Sequence, residues 1–171
     1  MDNTILAKIP EETLLEIYTE KITDQINSCY LLDFDEKMYV TQTFTKEGAN
    51  NGFIIGKIND ITKIRYDTLY LARFDSPVIN YLSTFEKEIY LDVDRLLSYH
   101  LEKDRFLGLE IGEKSRVYGR IQRVENDYVF FNEYSSDYFN NGISIFCKQE
   151  IKLIEIESSE IALLEKLKYE D

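Results

Sequence analysis

Between Cys29 and Ile156 apolar and polar residues alternate in short runs, broken by Gly, Asn, Asp and Ser. That period of two is the signature of half-buried strands. Tyr30-Leu31-Leu32 and Met38–Thr45 flank a polar turn at Asp33–Lys37. Residues 46–52, KEGANNG, predict a hairpin loop, because Gly and Asn accept the positive φ of tight turns. Phe53–Ile61 and Thr68–Phe74 read as the next strands, with Asp75-Ser76-Pro77 as a break and Glu88–Val93 closing the set. A second set follows: Phe106–Ile111, Arg116–Val124, Tyr128–Tyr134, Gly142–Cys147 and Gln149–Ile156.

Three stretches carry helical spacing instead. In residues 10–26, Leu15, Tyr18, Ile22 and Ile26 would share one face and Glu12, Glu16 and Glu20 another. Pro10 suits a first helical turn, and Glu11 and Glu12 favour the positive end of the dipole. Asp92–Lys103 predicts a helix capped by Asp92 or Asp94, and SSEIALLEKLK a final helix capped by Ser158 or Ser159.

The two strand sets look like copies. Gly56-Lys57-Ile58 matches Gly119-Arg120-Ile121, Asp67–Leu71 matches Asp127–Phe131, and Glu88–Leu91 matches Glu150–Leu153, with two short gaps. Similarity at so long a period implies two like domains rather than a solenoid, here residues 1–93 and 94–171. The expected fold is mainly β (α+β), two small barrels in tandem with flanking helices.

Composition narrows the function. Aromatics at 13% of the chain, thirteen Tyr and ten Phe, suit a folded β protein and exclude disorder. No apolar run approaches the ~20 residues of a membrane span, and the N-terminus has no signal-peptide pattern. Cys29 and Cys147 lack metal or redox spacing, so a cytoplasmic protein with reduced thiols is expected. An Ile-, Lys-, Asn-, Glu- and Tyr-rich composition is associated with bacterial sources. The net charge is −12, which opposes non-specific nucleic-acid binding.

Charge is unevenly placed. Nine acids and two bases put −7 of that charge in residues 1–36. Residues 114–123 hold Lys114, Arg116, Arg120 and Arg123 and no acid. On a strand Arg116, Tyr118 and Arg120 share one face, an aromatic between two cations that suits stacked bases or phosphates. The bland alternative is a solvated face pairing with Glu113, Glu125 and Asp127.

Gly119, Ile121 and Glu125, on a helix-then-five-strands plan, resemble the Sm-like small barrel of the wider SH3-like class. That resemblance covers about residues 94–156 and, more weakly, 10–93. It implies a small barrel and RNA binding, but Val129 stands where the family's base-binding loop has Asn. In the first copy only Gly56 and Ile58 match, Thr62 and Tyr66 filling the later positions. The family's apolar-apolar-Arg-Gly run is replaced by Ile145-Phe146-Cys147-Lys148.

No catalytic or metal-ligand constellation is visible. His100 is the single histidine, with Leu97 and Leu101 beside it, and no nucleophile motif accompanies it. Asp33-Phe34-Asp35-Glu36 lacks the spacing of a calcium loop. A carboxylate-only active site leaves no sequence signature and stays open. Tyr134, Tyr138 and Phe139 surround a Ser-Ser-Asp loop, where large aromatics are hard to assign to a core. The expectation is a non-enzymatic, cofactor-free module, an acidic adaptor, inhibitor or immunity-type protein, monomeric or homodimeric. It would meet a basic protein through Glu12, Glu16 and Glu20 or through Tyr134, Tyr138 and Phe139. RNA binding through Lys114, Arg116, Tyr118, Arg120 and Arg123 is the alternative.

Overall fold

The computed structural model describes residues 3–19, 27–75, 77–112, 116–135 and 137–167. It divides into two compact units, Met1–Leu91 and Asp92–Asp171. The first runs α1 (Asn3–Leu6), β1 (Leu14–Thr19), β2 (Asn27–Phe34), β3 (Met38–Phe44), β4 (Asn50–Lys57), β5 (Ile61–Arg65) and α2 (Thr84–Tyr90). The second runs α3 (Val93–Lys103), β6 (Phe106–Ile111), β7 (Arg116–Val124), β8 (Tyr128–Tyr134), β9 (Asn140–Cys147), β10 (Ile151–Ile156) and α4 (Ser159–Leu167).

The protein is mainly β, and every described ladder is antiparallel. Strand order is β5-β1-β2-β3-β4 in the first unit and β10-β6-β7-β8-β9 in the second. Among the described residues no ladder joins β4 to β5 or β9 to β10, so neither unit closes into the expected barrel. In each, a three-residue 3-10 turn, Ile58–Asp60 or Lys148–Glu150, leads the chain away from the fourth strand. The fifth then aligns with the first.

The duplication is real at the level of elements, but its register differs from the triplet match above. Gly56 lies on β4 and Gly119 on β7, which are not corresponding strands. The correspondence is instead a constant 90 residues from β2 to the start of β5. Asp35 N–H donates to Met38 O and Glu125 N–H to Tyr128 O. Ile58 N–H donates to Lys37 O and Lys148 N–H to Asp127 O. Asn50 and Asn140 each accept from the amide two residues on, Gly52 at 3.1 Å and Gly142 at 2.8 Å, with φ of 72° and 93° at the two glycines. The β2–β3 and β7–β8 ladders slip at equivalent places, Leu31/Asp33 and Ile121/Arg123.

The helix expected over 10–26 is corrected to strand β1, while residues 20–26 lie outside the described positions. Leu15 and Ile17 are buried with Glu16 between them, and β2 and β5 flank the segment. Two ladders outweigh a periodicity that also fits a helix. Thr68–Phe74, expected as a strand, is a turn followed by the 3-10 segment Leu71–Arg73. Glu88–Val93 is likewise not a strand: its start ends α2, whose capping box at Ser83 and Glu86 nucleates it. α3 starts, as expected, on Asp92, whose carboxylate accepts from Asp94 and Arg95 N–H.

The second unit's core holds Leu107, Leu109, Val129, Phe131 and Ile154, with Leu96 and Leu97 of α3 also buried. α4 sets Ile161 and Leu164 against Phe106, with Tyr118 and Tyr134 alongside. Each such buried side chain contributes roughly 1.5–3 kcal/mol by area. β7 and β8 approach closely at Gly119, where a Cβ would stand 2.1 Å from the Asn132 carbonyl oxygen.

Candidate binding surface on the second unit

Equivalent strands carry equivalent faces, and the two units treat one of them differently. In the first unit Asp33 pairs with Val40, Val40 with Ile55, and Gln42 with Phe53, so these side chains share a face. Val40, Gln42, Phe53 and Ile55 are all buried. The segment that follows β5 supplies contacts there. Gln42 Nε2 donates to Val78 O at 3.1 Å, and Asn80 N–H donates to Gln42 Oε1 at 2.8 Å. Further along, Tyr90 of α2 meets Phe53 with ring centroids 6.2 Å apart, and Lys87 pairs with Asp33 at 3.2 Å. An extended run and then a helical turn thus cover the face.

In the second unit the same positions are Arg123, Phe130, Asn132, Ile143 and Ile145. Ile143 is 56% exposed and Ile145 59%, and Tyr128 beside them is 49% exposed. The chain after β10 becomes α4 and packs on Phe106 instead. Arg123 lies over the Phe130 ring at 3.9 Å and pairs with Glu125 at 3.2 Å. No hydrogen bond of the Asn132 amide occurs among the described residues. β9 stands at one end of its unit's strand order and contains no charged residue. β5, at one end of the first unit's order, carries Lys63 and Arg65. Charge on an edge deters strand addition, and β9 lacks that protection.

The β8–β9 hairpin ends in the aromatics singled out in the sequence. Ser135 N–H donates to Phe139 O and Tyr138 N–H to Ser135 O, as Thr45 N–H and Gly48 N–H do to Ala49 O and Thr45 O. Tyr138 sits at φ 65° and Phe139 is 74% exposed. Tyr134 turns away: its ring packs on Phe106 at 5.0 Å and its hydroxyl accepts from Arg120 at 3.0 Å.

The expected basic strand is occupied internally. Arg116 pairs with Glu155, which is buried, and reaches Glu110 at 3.5 Å, while Tyr118 OH donates to Glu155 at 3.3 Å. Burial alone would lower the Arg116 pKa, but Glu155, Tyr118 and Glu110 outweigh it and hold the guanidinium above its ordinary value. Burial, then Glu155, pushes the Tyr118 phenol upward. Arg120 pairs with Asp104 at 3.1 Å and lies over Phe106 at 5.0 Å. Arg123 is the exposed member, and Lys114 lies outside the described residues.

The glutamates are not brought together on a helix face. Glu12 sits in a turn at φ 58° and accepts from the Tyr81 hydroxyl. Glu16 is buried on β1, accepting from Thr68 at 2.6 Å and Tyr18 at 2.8 Å with Arg65 at 3.4 Å. Glu20 lies outside the described residues. Sequence reasoning missed Ile143 and Ile145, which a constant 90-residue alignment would have paired with Phe53 and Ile55.

His100 is buried, and desolvation followed by the nearby Arg105 charge lowers its pKa to about 4. Cys29 is buried and its thiol is pushed up to about 12, so neither group is poised as base or nucleophile near neutrality. A cleft of about 500 Å³ in the first unit is lined by Glu12, Tyr30, Asp67, Leu69 and Phe74 among others. Among the described residues no group of three His, Cys, Asp or Glu could hold a metal ion, and no helix is long and apolar enough to cross a membrane. Comparison with protein families, curated proteins and solved structures gives no match for this chain.

Proposed function

We propose that the protein is a non-enzymatic protein-binding module, of adaptor, inhibitor or immunity type, that engages its partner through the second unit. The observation that carries this is the uncharged edge strand β9 of the β8–β9 hairpin, with Ile143 and Ile145 exposed along it and Tyr138 and Phe139 at the hairpin's tip. Exposed aromatic and aliphatic anchors beside an unpaired backbone edge suit strand addition or a packed interface. The acidic remainder of the chain would speed the encounter with a basic partner more than tighten it. Docking through glutamates of an N-terminal helix loses its basis, since Glu16 is buried on a strand.

The finer fold reading, two SH3-/Sm-like units laid open as sheets, draws support from a helix-then-five-strands order that occurs twice. RNA binding has less support, because Arg116 and Arg120 are engaged internally and, among the described members of the basic set, Arg123 is the exposed one. A cytoplasmic setting with reduced thiols belongs to this proposal.

The test is capture from native lysate with the tagged full chain, with and without RNase, comparing wild type with Phe139→Ser and Ile145→Lys. A stoichiometric protein that resists RNase and is lost from both variants is the expected result. Equal capture by both variants, or RNA alone, would overturn the proposal.

A further inference from the structure

Resting on that protein-binding reading, we infer that the exposed face formed by Arg123, Phe130, Asn132, Ile143 and Ile145 receives a peptide segment of another protein. The segment is extended and then helical, apolar over the two isoleucines, with an acidic residue set at Arg123.

The argument comes from the chain's own first unit, where the equivalent face has an occupant of that shape. There a side-chain amide, Gln42, reads the backbone of the extended part through both its oxygen and its nitrogen. Asn132 keeps the amide on a side chain one methylene shorter, and it makes no hydrogen bond among the described residues. Phe53 receives Tyr90 of the helical part. Its counterpart Ile143, with Ile145, supplies apolar surface that is more than half exposed. Removing such area from water yields roughly 25 cal/mol per Å².

Charge selects the occupant. Asp33 takes Lys87 of the covering segment, whereas the corresponding residue of the second unit is Arg123. The complementary residue is therefore a carboxylate. This weighs against the covering segment of a second copy, whose Lys87 would face a cation. Glu125 already neighbours Arg123, but that pair is about half exposed on both sides and exchanges readily for a better one. Stacking on Phe130 holds the guanidinium against the face, ready to receive the acid.

The probe is a fluorescent peptide of residues 77–91 in two forms, native and Lys87→Glu, titrated into the full chain by anisotropy. The Lys87→Glu peptide should bind about threefold to fivefold more tightly, the range of an exposed ion pair. Arg123→Glu in the protein should reverse the preference, and Ile145→Lys should abolish binding of the Lys87→Glu peptide. Hydrogen exchange should place the protection on β8 and β9. No binding of either peptide at millimolar concentration, or a preference indifferent to Arg123→Glu, would overturn the inference. If lysate capture still depends on Ile145 while the peptides fail, the protein-binding reading stands and this choice of occupant falls. If capture ignores Ile145, both fall.

Discussion

Gly48 and Tyr138 occupy the same position of the same hairpin, 90 residues apart, and both hold positive φ, 83° and 65°. Each donates its N–H to the carbonyl three residues back, at 2.9 Å. A glycine adopts that conformation freely, whereas a β-carbon bearing a phenol ring does so at a cost of roughly 1–2 kcal/mol. Strain of this kind at an exposed tip points toward a role for the side chain rather than for the fold.

Tyr138→Gly should therefore raise stability by about 1 kcal/mol while lowering partner capture. Urea denaturation and the lysate experiment read the two effects separately. A variant that loses both stability and capture would assign Tyr138 to the hairpin's own packing.

Arg116 and Arg123 stand on one strand and should behave oppositely. Arg116→Leu would leave Glu155 and Glu110 facing each other in a buried site without their cation, a loss of about 3–5 kcal/mol. Arg123→Ala removes an exposed pair and should change stability by about 0.5 kcal/mol or less. Midpoints of urea unfolding at neutral pH check both. Equal, small effects would remove the ionic cluster from the stabilising interactions of the second unit.

Gly119→Ala should be among the most damaging single-methyl additions. The new Cβ would meet backbone, the Asn132 carbonyl oxygen, rather than a side chain able to swing away. Separating β7 from β8 to admit it should cost about 3 kcal/mol or more, at the upper end of overpacking. Loss of a cooperative thermal transition, or a fall in Tm of several degrees, is the expected readout.

His100 sets a pH dependence of known sign. Its pKa is about 4 in the folded protein against an ordinary 6.5, so the unfolded chain binds the proton more readily between those values. Stability is then unaffected by His100 above pH 6.5 and falls as pH drops from 6.5 toward 4, by roughly 3 kcal/mol across the window. His100→Gln should flatten that part of the stability–pH curve, measured by urea denaturation from pH 4.5 to 7.5. An unchanged curve would mean that the imidazole protonates in the folded state.

Local chemistry was enough for the hairpins and for helices α3 and α4. Asn50-Asn51-Gly52 and Asn140-Asn141-Gly142 carry their own Asx hydrogen bonds, Asp92 caps α3, and alternation marks β3, β6, β7 and β8. These features depend on residues a few positions apart, and short-range sterics and hydrogen bonding settle them. The tandem was legible too, though matching short triplets put Gly56 against Gly119 and hid the constant spacing.

Long-range pairing settled the rest. Leu14–Thr19 has helical and strand periodicity alike, and becomes a strand because β2 and β5 pair with it on either side. Glu16 reads as a solvated acid until Arg65 and Thr68, about 50 residues on, satisfy it in the interior. Arg116 reads as a ligand for phosphate until Glu155 claims it. The fate of the β8–β9 face follows the same logic. Ile143 and Ile145 are as apolar as the buried Phe53 and Ile55, and alternation cannot distinguish the two pairs. Whether such a face is core or docking surface depends on where a later segment of chain comes to rest. Residues 78–90 return to the first unit's face and α4 goes to Phe106, so burial there is a property of the fold's connections rather than of the strand's own residues.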